Sequence, residues 1–354
     1  MSIQDKLNHF DPNGVGNTSG TIFGLPFDIS ESKLVVIPMT WDVTVSNHAG
    51  TSMAPECILG HSSQIDLFDP FSTDAWKHGI AMEDIDSVME KRNAELRIQA
   101  SEVIQFLESG GVISDNKDIQ CNLKGINDAC QNMTDALTSK CERYLDQGKI
   151  PFVLGGDHSV SLGIVKALVK RFPGMGILQI DAHADLRHQY QGFTQSHASI
   201  MWNIIHTEGI ARLVQVGVRE LCDSEYSMIR THADTITTFF DRDLFSLMAK
   251  GYSWERICLD VVRCLPDHVY ISFDADGLDP SACPNTGTPV PGGLSYNQIM
   301  FLFETLVSQG KKIVGADLVE TGANDLDAMI ACRILYRMAG MMIKSQQDGV
   351  SESR

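Results

Sequence analysis

Short apolar runs alternate with longer amphipathic stretches along most of the chain. Residues 34–38, 151–154, 175–180, 213–217, 269–273 and 313–318 are aliphatic without alternation, and 235–239 is a weaker seventh run. Runs of this length and character predict strands buried on both faces. Between them, apolar residues recur at helical spacing over 122–146, 159–171, 253–264, 296–308 and 327–343. Strands alternating with helices predict an α/β fold, with three α/β/α layers around a mainly parallel sheet. Residues 1–32, rich in Gly, Asn, Ser and Asp, read as an extended or partly ordered N-terminal arm, and 344–354 as a flexible polar tail. The intervening 33–343 shows neither a linker nor an internal repeat and reads as one domain.

Polar clusters fall where the apolar runs end. Gly155-Gly156-Asp157-His158, Asp181-Ala182-His183-Ala184-Asp185, Arg219-Glu220, Asp274-Ala275-Asp276 and Glu320 each follow an expected strand. In an open parallel sheet ligands bind beyond the carboxyl ends of the strands, so these five segments are expected at one sheet edge. Asp181, His183 and Asp185 lie at i, i+2 and i+4, which in extended geometry point to one face. Carboxylates and imidazoles crowded in this way call for a cation between them. Asp274 and Asp276 repeat the spacing, and His158 adds a second imidazole.

Four carboxylates and two imidazoles suffice for two divalent ions if aspartates bridge. Oxygen-rich ligation with some imidazole favours Mn²⁺ and tolerates Ni²⁺ or Co²⁺. Two such ions can acidify a shared water for hydrolysis. Singly, an Asp-x-Asp-Gly is more often a turn and a lone His a loop residue. Three such segments at one sheet edge make the metal reading the stronger one.

Charge and cysteine content narrow the partners. A formal net charge of −17 argues against nucleic acid. No run is long and apolar enough to suggest a membrane span, and no basic region followed by an apolar stretch suggests a secretory leader. Nine scattered cysteines without a Cys-x-x-Cys pair read as the reduced thiols of a cytoplasmic protein. The phosphate-binding pattern Gly-x-x-x-x-Gly-Lys-Ser/Thr is absent.

The segments Gly155-Gly156-Asp157-His158-Ser159, Asp181-Ala182-His183-Ala184-Asp185-Leu186-Arg187 and Ser272-Phe273-Asp274-Ala275-Asp276-Gly277-Leu278-Asp279-Pro280 resemble those of the ureohydrolase family. So do Gly287-Thr288-Pro289-Val290-Pro291-Gly292-Gly293-Leu294-Ser295 and Glu320. That family includes arginases, agmatinases and guanidinobutyrases. The resemblance runs from Lys33 to the last helix and implies an arginase-like fold with 33–343 as the catalytic domain. It further implies homotrimers or homohexamers and hydrolysis of a small guanidino substrate to urea and an amine.

Carried over position by position, His158, Asp181, Asp185 and Asp274 would hold one ion. Asp181, His183, Asp274 and Asp276 would hold the other, with Asp181 and Asp274 bridging. Glu320 would pair with the guanidinium. Asp276 or His197 would pass a proton to the leaving amine, and Thr288 would orient the guanidinium or line the mouth. Asp157 and Ser159 would support the ligands by hydrogen bonds. The segment Trp41-Asp42-Val43-Thr44-Val45-Ser46-Asn47-His48-Ala49-Gly50 is read as a pocket wall with Trp41 in it, ordinary packing beside the first strand being the other reading of Trp41.

The pocket loops resemble agmatinase-type members more than arginases. Arginases carry a Ser- and Asn-rich loop after the metal triad, whereas this chain has Arg187-His188-Gln189-Tyr190-Gln191-Gly192-Phe193-Thr194-Gln195. Cys222 stands where arginases have a second acid after the Gly-x-Arg turn. Agmatine is therefore the first substrate choice. Free guanidine or 4-guanidinobutyrate remains the alternative, because the Trp41 wall and Thr321-Gly322-Ala323 leave the pocket shape open. A single-zinc deacetylase would lack the acid at 185, and a silent regulatory relative would have lost ligands. All six are present here.

Overall fold

The non-alternating apolar runs become the strands of one sheet in the computed structural model, which describes residues 2–17 and 20–347. The strands are β1 Leu34–Pro38, β2 Ile80–Met82, β3 Ile150–Leu154, β4 Met175–Ile180, β5 Ile210–Val216, β6 Ile236–Phe239, β7 His268–Asp274 and β8 Lys312–Val319. Their order is β2-β1-β3-β8-β7-β4-β5-β6, with every pairing parallel. β1, β3 and β4 are buried along their whole length and β8 from Ile313 onward, since helices cover both faces of the sheet.

The helices are α1 Ile3–His9, α2 Ala54–Ser62, α3 Ser87–Glu108, α4 Lys117–Asp146, α5 Ser161–Arg171, α6 Ile200–Ile205, α7 Asp223–Thr231, α8 Asp241–Ala249, α9 Trp254–Arg263, α10 Tyr296–Ser308 and α11 Asp325–Ser345. One face of the sheet packs Leu178, Val214, Ile271 and Leu318 against α2, α8, α9, α10 and α11. The opposite face packs Val153, Ile177, Leu213 and Tyr270 against α3, α4, α5, α6 and α7. These are the three layers expected from the alternation of elements.

The chain departs from the expectations at its start and after β1. The second half of the 1–32 segment is not an extended arm: Ile22, Phe23, Leu25 and Phe27 are buried in the core on the α11 side. β2 and α3 were not anticipated. β2 spans three residues, too few for a periodic signal, and α3 buries only Asn93, Leu96, Ala100, Val103 and Ile104 among 22 residues. The tail expected over 344–354 is helical to Ser345, and from 348 onward it lies outside the described residues. No helix among the described residues is long and apolar enough to cross a membrane. All nine cysteines are free thiols.

Candidate metal centre

Five strand ends deliver the polar segments to one edge of the sheet. After β3 the chain turns through Gly155 and Gly156, both with positive φ. A Cβ on Gly156 would lie 2.4 Å from the Trp41 carbonyl oxygen, so only glycine fits this turn. Asp157 then caps a single turn, His158–Val160, by accepting the Ser159 N–H at 3.0 Å, and this turn leads into α5. His158 is thereby aimed back over the sheet.

The His158 Nδ1 atom lies 3.0 Å from Asp185 Oδ2 and 3.2 Å from both Asp181 Oδ2 and Asp274 Oδ2. None of these three contacts is aligned as a hydrogen bond, and Nδ1 is a buried atom with no directed partner. A ring nitrogen centred among three carboxylate oxygens without pairing to any one of them is the geometry of a donor set around a cation. Beside it, His183 Nδ1 lies 3.0 Å from Asp276 Oδ2 and 3.7 Å from Asp181 Oδ1. The donor atoms form two groups, His158–Asp181–Asp185 and Asp181–His183–Asp276, with Asp181 in both.

The triad converges on the cluster through a turn and not through an extended strand. β4 ends at Ile180, and Asp185 adopts φ +53, in the left-handed region. Its carbonyl accepts the N–H groups of Met201 and Trp202 at the start of α6. That turn sends Asp181 and Asp185 to His158 while His183 faces Asp276, which corrects the strictly extended geometry expected from the spacing. Asp276 is held by the Ala182 N–H on Oδ1 (2.9 Å) and by the Thr288 hydroxyl on Oδ2 (3.3 Å). Asp274 Oδ1 accepts the Asp276 N–H at 2.9 Å.

Electrostatics show how unbalanced the cluster is without a cation. Burial alone would lower the His158 pKa, yet Asp181, Asp185 and Asp274 together hold it well above the ordinary value. His183 opposes the same burial penalty through Asp181 and Asp276 and is pushed up to about 12. Burial and then the Asp181 charge raise Asp185 to about 7, and burial followed by Asp276 and Asp181 raises Asp274 strongly. Protons thus stand where positive charge is demanded.

Glu320 adds a fifth buried carboxylate. Its backbone lies at φ +56, and its N–H donates to the Gly156 carbonyl. Its side chain accepts the His158 N–H at 2.9 Å. Burial, then the neighbouring Asp157, raises its pKa strongly.

A pocket of about 230 Å³ opens over these groups and is lined by His158, His183, Asp185, Asp274, Asp276, His197, Thr288 and Glu320. Asp181 lies fully buried beneath them. Burial, then the nearby His183 and His158, lowers the His197 pKa to about 3, so its ring is neutral at physiological pH.

Three comparisons bear on this geometry. A model described as the arginase family matches residues 32–340. The chain belongs to the arginase family. It is 31% identical over 314 residues to the N(1)-aminopropylagmatine ureohydrolase of Thermus thermophilus, covering 88% of this chain and 90% of that one. It is 26% identical over 290 residues to the agmatinase of Bacillus anthracis, covering 82% and 83%. The agmatine ureohydrolase of Thermoplasma volcanium has the same fold, with a TM-score of 0.68 at 23% identity over 96% of this chain and 98% of that one. Arginase-family enzymes are ureohydrolases that depend on a binuclear metal centre, and this chain supplies a His/Asp cluster of the required chemistry.

Trp41, read from sequence as a pocket wall, does not line the pocket. Asp42 is pinned to α3 by Asn93, which donates to its Oδ1 and accepts its N–H, both at 2.8 Å. The preceding Trp41 is consequently turned into a separate cavity beside Met89 and Met133. From that loop it is Ser46 that lines the site.

The rim is formed by Arg187, Tyr190, Ala198, Glu220, Leu221, Cys222 and Glu225; Glu220 was expected at this sheet edge and the 187–195 loop and Cys222 beside the pocket, whereas Ala198 and Glu225 gave no signal in the sequence. Glu225 is buried, accepting the N–H groups of Leu186 (3.0 Å) and Cys222 (2.9 Å). Arg187 lies 3.7 Å from Glu225 and stacks over the Tyr190 ring at 5.1 Å. The neighbouring Arg219 serves as a clamp, donating to the carbonyls of Asp276, Leu278 and Val290.

Proposed function

We propose that this enzyme hydrolyses a small guanidino compound with a cationic tail, agmatine first, to urea and an amine. The centre would hold two divalent cations, Mn²⁺ by preference, with Ni²⁺ or Co²⁺ also suited to this mixture of carboxylate and imidazole donors. The observation carrying this reading is charge balance. Asp181, Asp185, Asp274, Asp276 and Glu320 are five buried carboxylates at one small pocket. Two divalent ions and one guanidinium neutralise them, with both imidazoles uncharged and free to ligate.

His158, Asp181, Asp185 and Asp274 would hold one ion, and Asp181, His183, Asp274 and Asp276 the other. When bound, such a pair supplies an acidified water and neutralises charge that develops on the substrate. Glu320, tied by one oxygen to His158, offers the other to the guanidinium and orients its carbon toward the cluster. Asp276 and His197 stand on the pocket wall as the candidate proton carriers to the departing nitrogen. Thr288 fixes the Asp276 carboxylate through its hydroxyl.

The rim supports the cationic tail. Glu220 is exposed and lines the pocket, where its carboxylate suits a distal ammonium. Arg187, which an anionic tail would need, is engaged by Glu225 and Tyr190. Free guanidine, which has no tail, is the second reading, favoured by the small volume of the pocket. A urea-release screen over agmatine, guanidine, 4-guanidinobutyrate, arginine and guanidinopropionate with Mn²⁺, Ni²⁺ or Co²⁺ decides between them. Agmatine is expected to turn over fastest, and no urea from any pairing would refute the assignment.

A further inference from the structure

One level of the sheet beneath the metal centre is polar. Thr238 of β6, Gln215 of β5, Gln179 of β4, Ser272 of β7 and Asp317 of β8 are partners in register on five neighbouring strands. Gln215, Gln179, Ser272 and Asp317 are all fully buried. The level below is apolar, with Leu213, Ile177 and Tyr270, and two residues further along β4 and β7 come Asp181 and Asp274. Burying amides, a hydroxyl and a carboxylate in mid-sheet costs stability unless each finds a partner, and a parallel sheet needs no such stripe to fold.

The donors in this row can be ordered in only one way. Asp181 is an acceptor, so the Gln179 amide must turn its NH₂ to Oδ2, at 2.7 Å. That leaves the Gln179 Oε1 to accept from Gln215, whose NH₂ also donates to the Ala184 carbonyl, at 2.6 and 2.8 Å. Gln215 Oε1 is left to accept the Thr238 hydroxyl at 2.7 Å.

On the other side Asp317 accepts the Tyr270 hydroxyl, the Phe273 N–H at 2.9 Å and the Ser272 hydroxyl at 3.0 Å. With its hydrogen committed to Asp317, Ser272 can only accept from His158 Nε2–H, at 2.9 Å. The atom that His158 presents to the carboxylates is therefore Nδ1.

We propose that the row from Thr238 through Gln215 and Gln179, completed by Ser272 and Asp317, is a positioning device that presets Asp181 and His158 for two cations. Gln179 occupies one lone pair of Asp181 Oδ2, and the His183 N–H occupies one of Oδ1 at 2.7 Å. Each oxygen keeps one lone pair, directed to a different half of the cluster, which is what a bridging carboxylate requires. Thr238 acts from two strands away without touching any ligand. This inference rests on the two-cation reading of the centre.

The test measures Mn²⁺ affinity of the full-length metal-stripped protein by calorimetry, together with its melting temperature. Gln215→Glu keeps size and shape but removes the donors, reversing the order of the row. It is expected to weaken Mn²⁺ binding by about 10–100-fold, the range found when hydrogen-bond partners of metal ligands are lost. Thr238→Val, which deletes only the far hydroxyl, is expected to weaken binding several-fold, and Thr238→Ser to restore it. Wild-type affinity in Gln215→Glu, or equal losses in Thr238→Ser and Thr238→Val, would overturn the device. So would a fall in melting temperature with unchanged affinity, which marks a purely structural role. A wild type that takes up no cation would overturn the reading of the centre and this inference with it.

Discussion

Glu320 accepts the backbone N–H of His158 at 2.9 Å, so the carboxylate proposed for the substrate is fixed to a residue proposed for the metal. Substrate and ions would then share one reference frame. Glu320→Gln retains an acceptor for that N–H but removes the charge. Losing one partner of a buried charge pair costs about 2–5 kcal/mol. Steady-state kinetics should show kcat/KM for the preferred substrate reduced by at least about 30-fold. Bound metal, counted by elemental analysis, should stay at the wild-type level, and a parallel loss of metal would contradict the assigned role.

Asp274 shares the His158 Nδ1 neighbourhood with Asp181 and Asp185 and also accepts the Asp276 N–H. In the proposed ligand set it serves both ions, so its removal would open both halves of the cluster at once. Asp274→Ala is expected to lose activity by at least about 10³-fold, in line with the several kcal/mol that metal catalysis supplies. Metal content should fall with it. Two ions per chain in this variant would disprove a bridging role.

Proton and cation compete for the same oxygens, which gives stability a pH signature. Asp185 is raised from its unfolded value to about 7, so the folded metal-free chain binds the extra proton. Its contribution is favourable at low pH and is lost as pH rises through about 7. The raised His183 contributes in the same direction, its stabilisation being complete below its unfolded value and lost toward about 12. Melting curves of metal-stripped protein should therefore show Asp185→Asn flattening the decline between pH 5 and 8. Added Mn²⁺ should raise the wild-type midpoint more at pH 8 than at pH 5. The opposite trend would mean that the cluster does not exchange protons for cations.

Glu220 and Trp41 give contrasting expectations for KM. Glu220→Gln removes the rim charge and should raise KM for agmatine several-fold while leaving free guanidine nearly unchanged, since an exposed pair contributes at most about 1 kcal/mol. Trp41→Phe should leave KM for both within about 2-fold while lowering stability by about 1–3 kcal/mol, because the ring is buried outside the pocket. A large KM change in Trp41→Phe with unchanged stability would return Trp41 to the pocket wall.

The sheet and the floor of the site were legible in the sequence for the same reason. A strand buried on both faces has to be a short continuous apolar run, as 34–38 and 175–180 are, and an ionisable residue just past such a run stands out. His158, Asp181, His183, Asp185, Asp274, Asp276 and Glu320 all announce themselves in this way. The rim was legible only in part: Glu220 stands just past a strand, but Ala198, Leu221 and Glu225 reach the pocket through loop and helix-cap conformations that no periodicity encodes.

Trp41 shows the same limit from the other side. Its direction is set by the Asp42–Asn93 contact across 51 positions. Gln179 and Gln215 were hidden within apolar runs, where a single polar residue does not break the pattern. Their meaning emerges only when strand register places them side by side.

Glu225 ties the backbone at Leu186 to the backbone at Cys222, joining two loops that carry the rim, while the groups on the floor are held by strand ends and by each other. The two tiers, rim and floor, meet through the backbone, where the Arg219 and Glu220 N–H groups donate to the Ala182 carbonyl, so rim side chains are not part of that fastening. A lineage, or an engineer, could exchange residues 187–190 and 220–222 to admit a longer, shorter or differently charged tail while the reactive floor stays intact. Selectivity in this scaffold can drift with little cost to reactivity, provided that Glu225 and the backbone bonds of 219–220 to Ala182 are retained.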